Sequence, residues 1–209
     1  MARFAVFITA VAAAVAAAPA PAPTSSAATS GTLGEIFIKP GPGMPSLESV
    51  GLTPAKLYNI TMNHAHASDG KLARRAPSYC FPSPRISGTP ETGWCNFPTS
   101  NLWNPGGMNH IWACAAYLES LGTAMCSVSP AEDLHLCTAY GLPEPEANIW
   151  GWNRIYPEYW GASSYCEHVA CAVYRVWLSC GDQGNAAIAH GFTVAYGNGD
   201  YYVEAAGPY

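Results

Sequence analysis

Eight cysteines behind an apolar leader constrain this chain more than any other feature. They are Cys80, Cys95, Cys114, Cys126, Cys137, Cys166, Cys171 and Cys180. The chain opens with Arg3 as a short basic region, an apolar run over 4–15, and the small residues Val15-Ala16-Ala17. That is the pattern of a secretory signal, too short and alanine-rich for a membrane anchor. Cleavage is expected after Ala17, because a cut one residue later would leave Pro19 first. An even cysteine count behind such a leader predicts disulfides and a secreted, extracellular protein. Eight cysteines allow 105 pairings, and spacing chooses none of them. There is no C-x-x-C, and an oxidising export route would bridge thiols before they met a metal. Neither a metal site, a cofactor nor a catalytic thiol is expected. No later stretch is suited to stable membrane insertion.

All eight cysteines lie in 76–209, which is expected to be the folded domain. Residues 18–75 read as a low-complexity propeptide or linker. Residues 19–23 are proline and alanine, and 24–32 are rich in serine, threonine and alanine, a composition that cannot bury a core. Glu35-Ile36-Phe37-Ile38 is a short apolar patch broken by Pro40-Gly41-Pro42-Gly43. Asn59-Ile60-Thr61 is a glycosylation sequon. Arg74-Arg75 resembles a site for a late-secretory, Kex-type protease, so cleavage after Arg75 is expected. The domain that follows has three arginines, no lysine and eleven carboxylates, a formal charge of −8. That sign opposes phosphate backbones, so no nucleic-acid partner is expected.

The most legible stretch of the domain is 163–205. Ser164 and Glu167 have the spacing of a capping box. Val169, Val173, Val176, Trp177 and Cys180 then recur at helical spacing. Cys166 and Cys180 fall on or beside that stripe, and Cys171 falls nearly opposite. A helix holds Cys166 and Cys180 roughly 21 Å apart, whereas a disulfide needs Cα atoms within about 7 Å. All three must reach outside the helix. Residues 187–196 alternate: Ile188, His190, Phe192, Val194 and Tyr196 share one face, and small residues share the other. Gly197-Asn198-Gly199 suits a tight hairpin turn, and 200–205 returns as the partner strand.

Upstream, 80–107 reads as an irregular loop held by Cys80 and Cys95. A second helix is expected over 108–121, with Ile111, Cys114, Ala115, Leu118 and Leu121 as its stripe and Gly122 as its stop. His110 lies beside the stripe and reads as structural. Residues 124–128 and 147–152 read as strands, with an acidic loop at Pro143 and Pro145 between them. Residues 148–160 gather Trp150, Trp152, Tyr156, Tyr159 and Trp160 around Arg154. Such rings bind sugars or proteins because flat apolar faces give area at little entropic cost. These six residues are the candidate binding site.

No catalytic residue is assigned. A glycosidase needs two carboxylates about 5 to 10 Å apart, but Glu132, Asp133, Glu144, Glu146 and Glu158 mostly read as solvated charge. There is no G-x-S-x-G. Ribonuclease chemistry would need histidines beside a glutamate and an arginine, and His168, Glu167, Arg175 and His190 are the nearest set.

Cys114-x-x-Tyr117-Leu118-x-x-Leu121-Gly122-x-x-x-Cys126 is followed by Ser163-Ser164-Tyr165-Cys166-Glu167-His168-Val169-Ala170. Then come Cys180 and Gly197-Asn198-Gly199-Asp200-Tyr201-Tyr202-Val203. This order resembles small cysteine-rich secreted proteins of filamentous fungi, including candidate effectors of plant-associated species. It is more distantly similar to killer-toxin-like and necrosis-inducing α/β-sandwich proteins. The resemblance implies action outside the cell, on a host or competitor, and carries over no catalytic residue. Cys171 and the tryptophan-rich stretch fall outside the shared pattern. The expected fold is α+β: a disulfide-rich two-layer sandwich with an antiparallel sheet and two helices on one face. The expected function is an effector that binds, or inhibits, a host extracellular protein such as a protease, through 148–160 or 82–105. A glycan-binding or glycan-cleaving protein is the alternative, and a ribonuclease-like or membrane-active toxin the second alternative.

Overall fold

The computed structural model describes residues 35–65, 80, 94–95, 105–129, 132–153, 161–180, 188–195 and 200–208. The central element is a six-stranded antiparallel sheet in the order β1-β5-β6-β10-β9-β2. Its strands are β1 (Phe37–Pro40), β2 (Trp94–Cys95), β5 (Leu134–Tyr140), β6 (Ala147–Asn153), β9 (Gly191–Val194) and β10 (Tyr201–Ala206). Two short ribbons complete it. β3 (Gly106–Gly107) pairs with β8 (Ile188–Ala189), and β4 (Met125–Val128) pairs with β7 (Ala162–Tyr165). Three helices are described: α1 (Pro54–Ala65), α2 (Met108–Ser120) and α3 (Cys166–Cys180). α2 lies over β5 and β6, α3 lies over β9 and β10, and the two helices pack on each other. The chain is a disulfide-rich α+β fold, as expected.

The helix-facing side of the sheet is small and apolar. Cys137, Ala139, Ala147, Ile149, Val203, Ala205 and Thr193 are all fully buried there. Small side chains let the helices sit close, and Tyr201 of β10, whose ring lies over Gly151, adds to the aromatic bulk that the helices bring. Trp112 of α2 meets Tyr174 and Trp177 of α3 at 4.5 and 4.8 Å between ring centroids. Tyr174 also donates a hydrogen bond to Glu119 of α2 (2.8 Å).

Four disulfides join Cys80 to Cys171, Cys95 to Cys180, Cys114 to Cys137 and Cys126 to Cys166. All three α3 cysteines reach outside the helix, as the distance argument requires. Cys80 and Cys95 each bond to α3 and not to each other. The Cys114–Cys137 bond ties α2 to β5. It depends on a bulge: His135 pairs with Trp150 and Cys137 with Ile149, so Leu136 is the extra residue. The bulge turns both Leu136 and Cys137 inward and brings the thiol under α2.

Several local expectations are corrected. α3 begins at Cys166, two residues past the expected cap, and Ser164 is a strand residue that pairs with Cys126 in the β4–β7 ribbon. The first-turn amides of Cys166 and Glu167 instead donate to the Ala124 and Gly122 carbonyls (2.9 and 3.0 Å), which satisfies helix-end donors without a side chain. The run after 187 is not one strand. It breaks at His190, and β8 leaves to pair with β3. At Gly107 in β3, a Cβ would meet the Pro145 carbonyl oxygen at 2.5 Å, so only glycine lets β3 pass this close to the Glu144-Pro145 loop. The Gly197-Asn198-Gly199 turn lies outside the described residues, but the strands beside it pair as expected.

The largest difference is at 35–65. This stretch, expected to be linker or propeptide, contributes β1, a 3-10 turn (Glu48–Val50) and α1. β1 pairs with β5, and α1 packs on α2. Ile36 and Leu57 are fully buried, and Ile38, Leu47 and Leu52 nearly so. Each such side chain stabilises the fold by about 1.5–3 kcal/mol. The Pro-Gly run, expected to end an apolar patch, is a close crossing. A Cβ on Gly41 would collide with the His135 carbonyl oxygen, and the Gly41 amide donates to the Leu136 carbonyl (2.9 Å).

Candidate functional site

The sheet face turned away from the helices gathers the chemistry. Period-two alternation sets which side chains share that face, and the register sets which of them are neighbours. One row across the sheet is His135, Trp150, Glu204 and Phe192, on β5, β6, β10 and β9. A second is Trp152, Tyr202 and Val194. A third is Lys39, Thr138, Asn148 and Ala206. Trp152 stacks on Tyr202 (4.7 Å, 29°) and Phe192 meets both rings at about 6 Å. The His135 and Trp150 rings are 4.7 Å apart. Tyr202, His190 and Asn148 are buried, whereas Trp150, Trp152, Phe192, His135 and Glu204 are half-buried.

Two polar groups flank the Trp150 indole. On one side, Thr138 donates its hydroxyl proton to Asn148 Oδ1 (2.7 Å), and His135 Nε2 lies 2.9 Å from the same hydroxyl. His135 Nε2 also lies 3.3 Å from Asn148 Oδ1, and the ring has a further hydrogen bond to the Cys137 backbone. Asn148 Nδ2 donates to the Gly207 carbonyl (3.3 Å). Burial chiefly, with Lys39 adding to it, pushes the His135 pKa down against its bond to Asn148. On the other side, His190 Nε2 donates to Glu204 Oε1 at 2.9 Å. Strands lie about 4.8 Å apart, so His135 and Glu204 stand roughly 10 Å apart with Trp150 between them. The Trp152 indole N–H is buried, with no hydrogen-bond partner among the described residues.

A second polar cluster is structural. The N-cap of α2 is Gly107, which has no side chain to cap with. Glu144 supplies the missing carboxylate: its Oε1 accepts from the His110 amide (3.2 Å) and its Oε2 from Asn109 Nδ2 (3.4 Å). His110 is fully buried. Its Nδ1–H donates to the Pro145 carbonyl (2.8 Å), and its Nε2 accepts from the Leu142 amide (3.2 Å). A ring bonded in this way is neutral, so its 3.7 Å approach to Glu144 is not an ion pair. Burial lowers the His110 pKa and raises that of Glu144, where the bonds from His110 and Asn109 oppose it. The expectation of a solvated acidic loop is therefore wrong at Glu144, which is tied down because α2 lacks its own cap.

Of the six candidate binding residues, Trp150 and Trp152 lie side by side on β6. Arg154, Tyr156, Tyr159 and Trp160 lie outside the described residues, as do Arg74 and Arg75. Asn59 is exposed on α1. Of the nearest set for ribonuclease chemistry (His168, Glu167, Arg175 and His190), His190 turns to Glu204, on the face away from α3, and His168 packs against Tyr165 (5.3 Å). Among the described residues, sequence reasoning missed His135, Thr138, Asn148, Tyr202 and Glu204. The alternation of Asn148, Trp150 and Trp152, and of Tyr202 and Glu204, is present in the sequence; the register that joins them is not.

Fold and bonds define a disulfide-stitched α+β protein with an aromatic and histidine array on one sheet face. The chain belongs to the family described as a domain of unknown function, DUF8794, whose model matches residues 94–206, more than half of its length. No curated protein and no solved structure matches it.

Proposed function

We propose that this is an exported glycan-binding protein that holds a saccharide chain on the outward sheet face. The observation that carries the reading is the Trp150 indole, flanked by the His135–Thr138–Asn148 network and the His190–Glu204 pair. A pyranose ring presents an apolar face to stack and a rim of hydroxyls to hydrogen-bond, and this surface offers both at once. Binding fits better than cleavage. Among the described residues the strands of that face carry one carboxylate, Glu204, and Glu146 acts on His135 only from just before β6. The strand positions offer no second carboxylate for the pair that glycoside hydrolysis uses. Export is supported by the leader and the four disulfides, and no described helix is long and apolar enough to cross a membrane. The test is affinity electrophoresis against soluble β-glucan and chitin oligomers. Trp150→Ala combined with Trp152→Ala should lose at least ~10-fold in affinity. Unchanged retardation of the double variant, or none for the parent on any glycan, rejects the reading.

A second reading, an effector that binds a host extracellular protein such as a protease, is favoured by a different surface. Met125 and Tyr165 are register partners on the β4–β7 ribbon and are 54% and 44% exposed. Paired exposed apolar side chains suit a protein contact. If that surface is used, Met125→Ser with Tyr165→Ser abolishes inhibition of apoplastic protease activity and leaves glycan retardation intact. Inhibition equal to that of the parent rejects it.

A further inference from the structure

Residues 35–65 contain no cysteine, and all eight cysteines lie at position 80 or beyond. No disulfide therefore joins this segment to the body it packs on. The family match also begins past it, at residue 94. Its seat is nonetheless that of a bound ligand. β1 extends the sheet at β5 through four register pairs, Phe37 with Tyr140 to Pro40 with Cys137. The Gly41 amide continues the ladder to Leu136 (2.9 Å), and Tyr117 of α2 donates to the Pro45 carbonyl (2.6 Å). Ile36 and Ile38 alternate into the core, and Leu57 enters from α1. Strand addition to a sheet edge works in this way: main-chain bonds supply affinity, and alternate side chains in pockets supply selectivity. α2 shows the same from the other side. Every residue from His110 to Leu118 is buried, although the sheet and α3 account for only part of a helix circumference.

We propose that the β5 edge and the α1-covered side of α2 form a peptide-docking groove. Residues 35–65 are its resident ligand, joined to the body by the main chain but by no disulfide, and exchangeable for the same segment of a second copy of the chain. The occupant is specified by Ile36 and Ile38 at alternate positions, glycine at 41, and the apolar side of α1. Two copies can then trade segments, each completing the other's sheet.

The test uses the full chain with an engineered protease site between residues 65 and 80, cut after folding. Urea without reductant should release the N-terminal piece. On dilution with excess fluorescent peptide spanning 35–65, the body should take up the peptide and co-elute with it in gel filtration. A peptide carrying Ile38→Asp should bind at least ~10-fold more weakly, a charge buried without a partner being strongly opposed. The proposal is overturned if release requires reductant, if the body takes up no peptide, or if the Ile38→Asp and scrambled peptides enter as well as the native one.

Discussion

The β1–α1 segment and the body from Cys80 onward are buried to the same depth but secured by different means. Leu57 of the segment and Val173 of the body are each fully shielded from water. The body is cross-linked four times, with three of the bonds ending on α3. The segment has only strand pairing, a few hydrogen bonds and apolar contact. Burial and anchorage are thus separable: one region stays assembled because its unfolded state is restricted, the other only while its contacts outweigh its chain entropy.

The largest expected effect breaks the body's side of this contrast. Replacing Cys80 and Cys171 together by alanine removes a bond with a sequence separation of 91. With Cys95–Cys180 intact the loop released is only about 25 residues, so this should cost about 3–4 kcal/mol in a denaturant titration on the chain-entropy account. Leu57→Ala should cost about 2–5 kcal/mol locally, with a sharper signature. Hydrogen exchange should accelerate across 37–65 while α3 amides keep their protection; equal acceleration in both regions would merge them into one cooperative unit.

A smaller effect sits in α2, which both regions share. His110 is held neutral with a pKa below its ordinary value, so the unfolded chain binds the extra proton on acidification. Stability from this group is present above about pH 6.5 and is lost as pH falls below it. Glu144 acts with the opposite sign, its raised pKa costing stability as pH rises above the ordinary carboxylate range. The thermal midpoint should fall between about pH 7 and pH 5, and His110→Gln should flatten that fall. The smallest effect is Lys39→Ala on β1. Losing a nearby positive charge should raise the His135 pKa slightly in an NMR titration, reporting the segment's reach into the candidate site.

The two regions also differ in how much of each is legible in the sequence. Apolar spacing and terminal glycines mark α2, α3 and the β9–β10 pairing, because those signals are local. β1 and α1 are hidden by the proline, alanine and serine residues before them and by Pro40-Gly41-Pro42-Gly43, whose glycine at 41 serves a close crossing. At the candidate site, Trp150 and Trp152 stand out by residue type. His135 and Glu204 do not, because what makes them neighbours of Trp150 is long-range register, shifted at Leu136 by a bulge that no local pattern announces.

The closure of residues 80–180 by Cys80–Cys171 and Cys95–Cys180 has a mechanical consequence. Tension applied between the two ends of the chain is carried through the sulfur links, and most of the enclosed polypeptide is shielded from extension. The cysteine-free strand and helix lie outside those links. At roughly 3.3–3.6 Å per residue, they would lengthen the tether by up to about 100 Å while residues 80–180 stayed linked; β8, β9 and β10, which follow Cys180, lie outside the links as well.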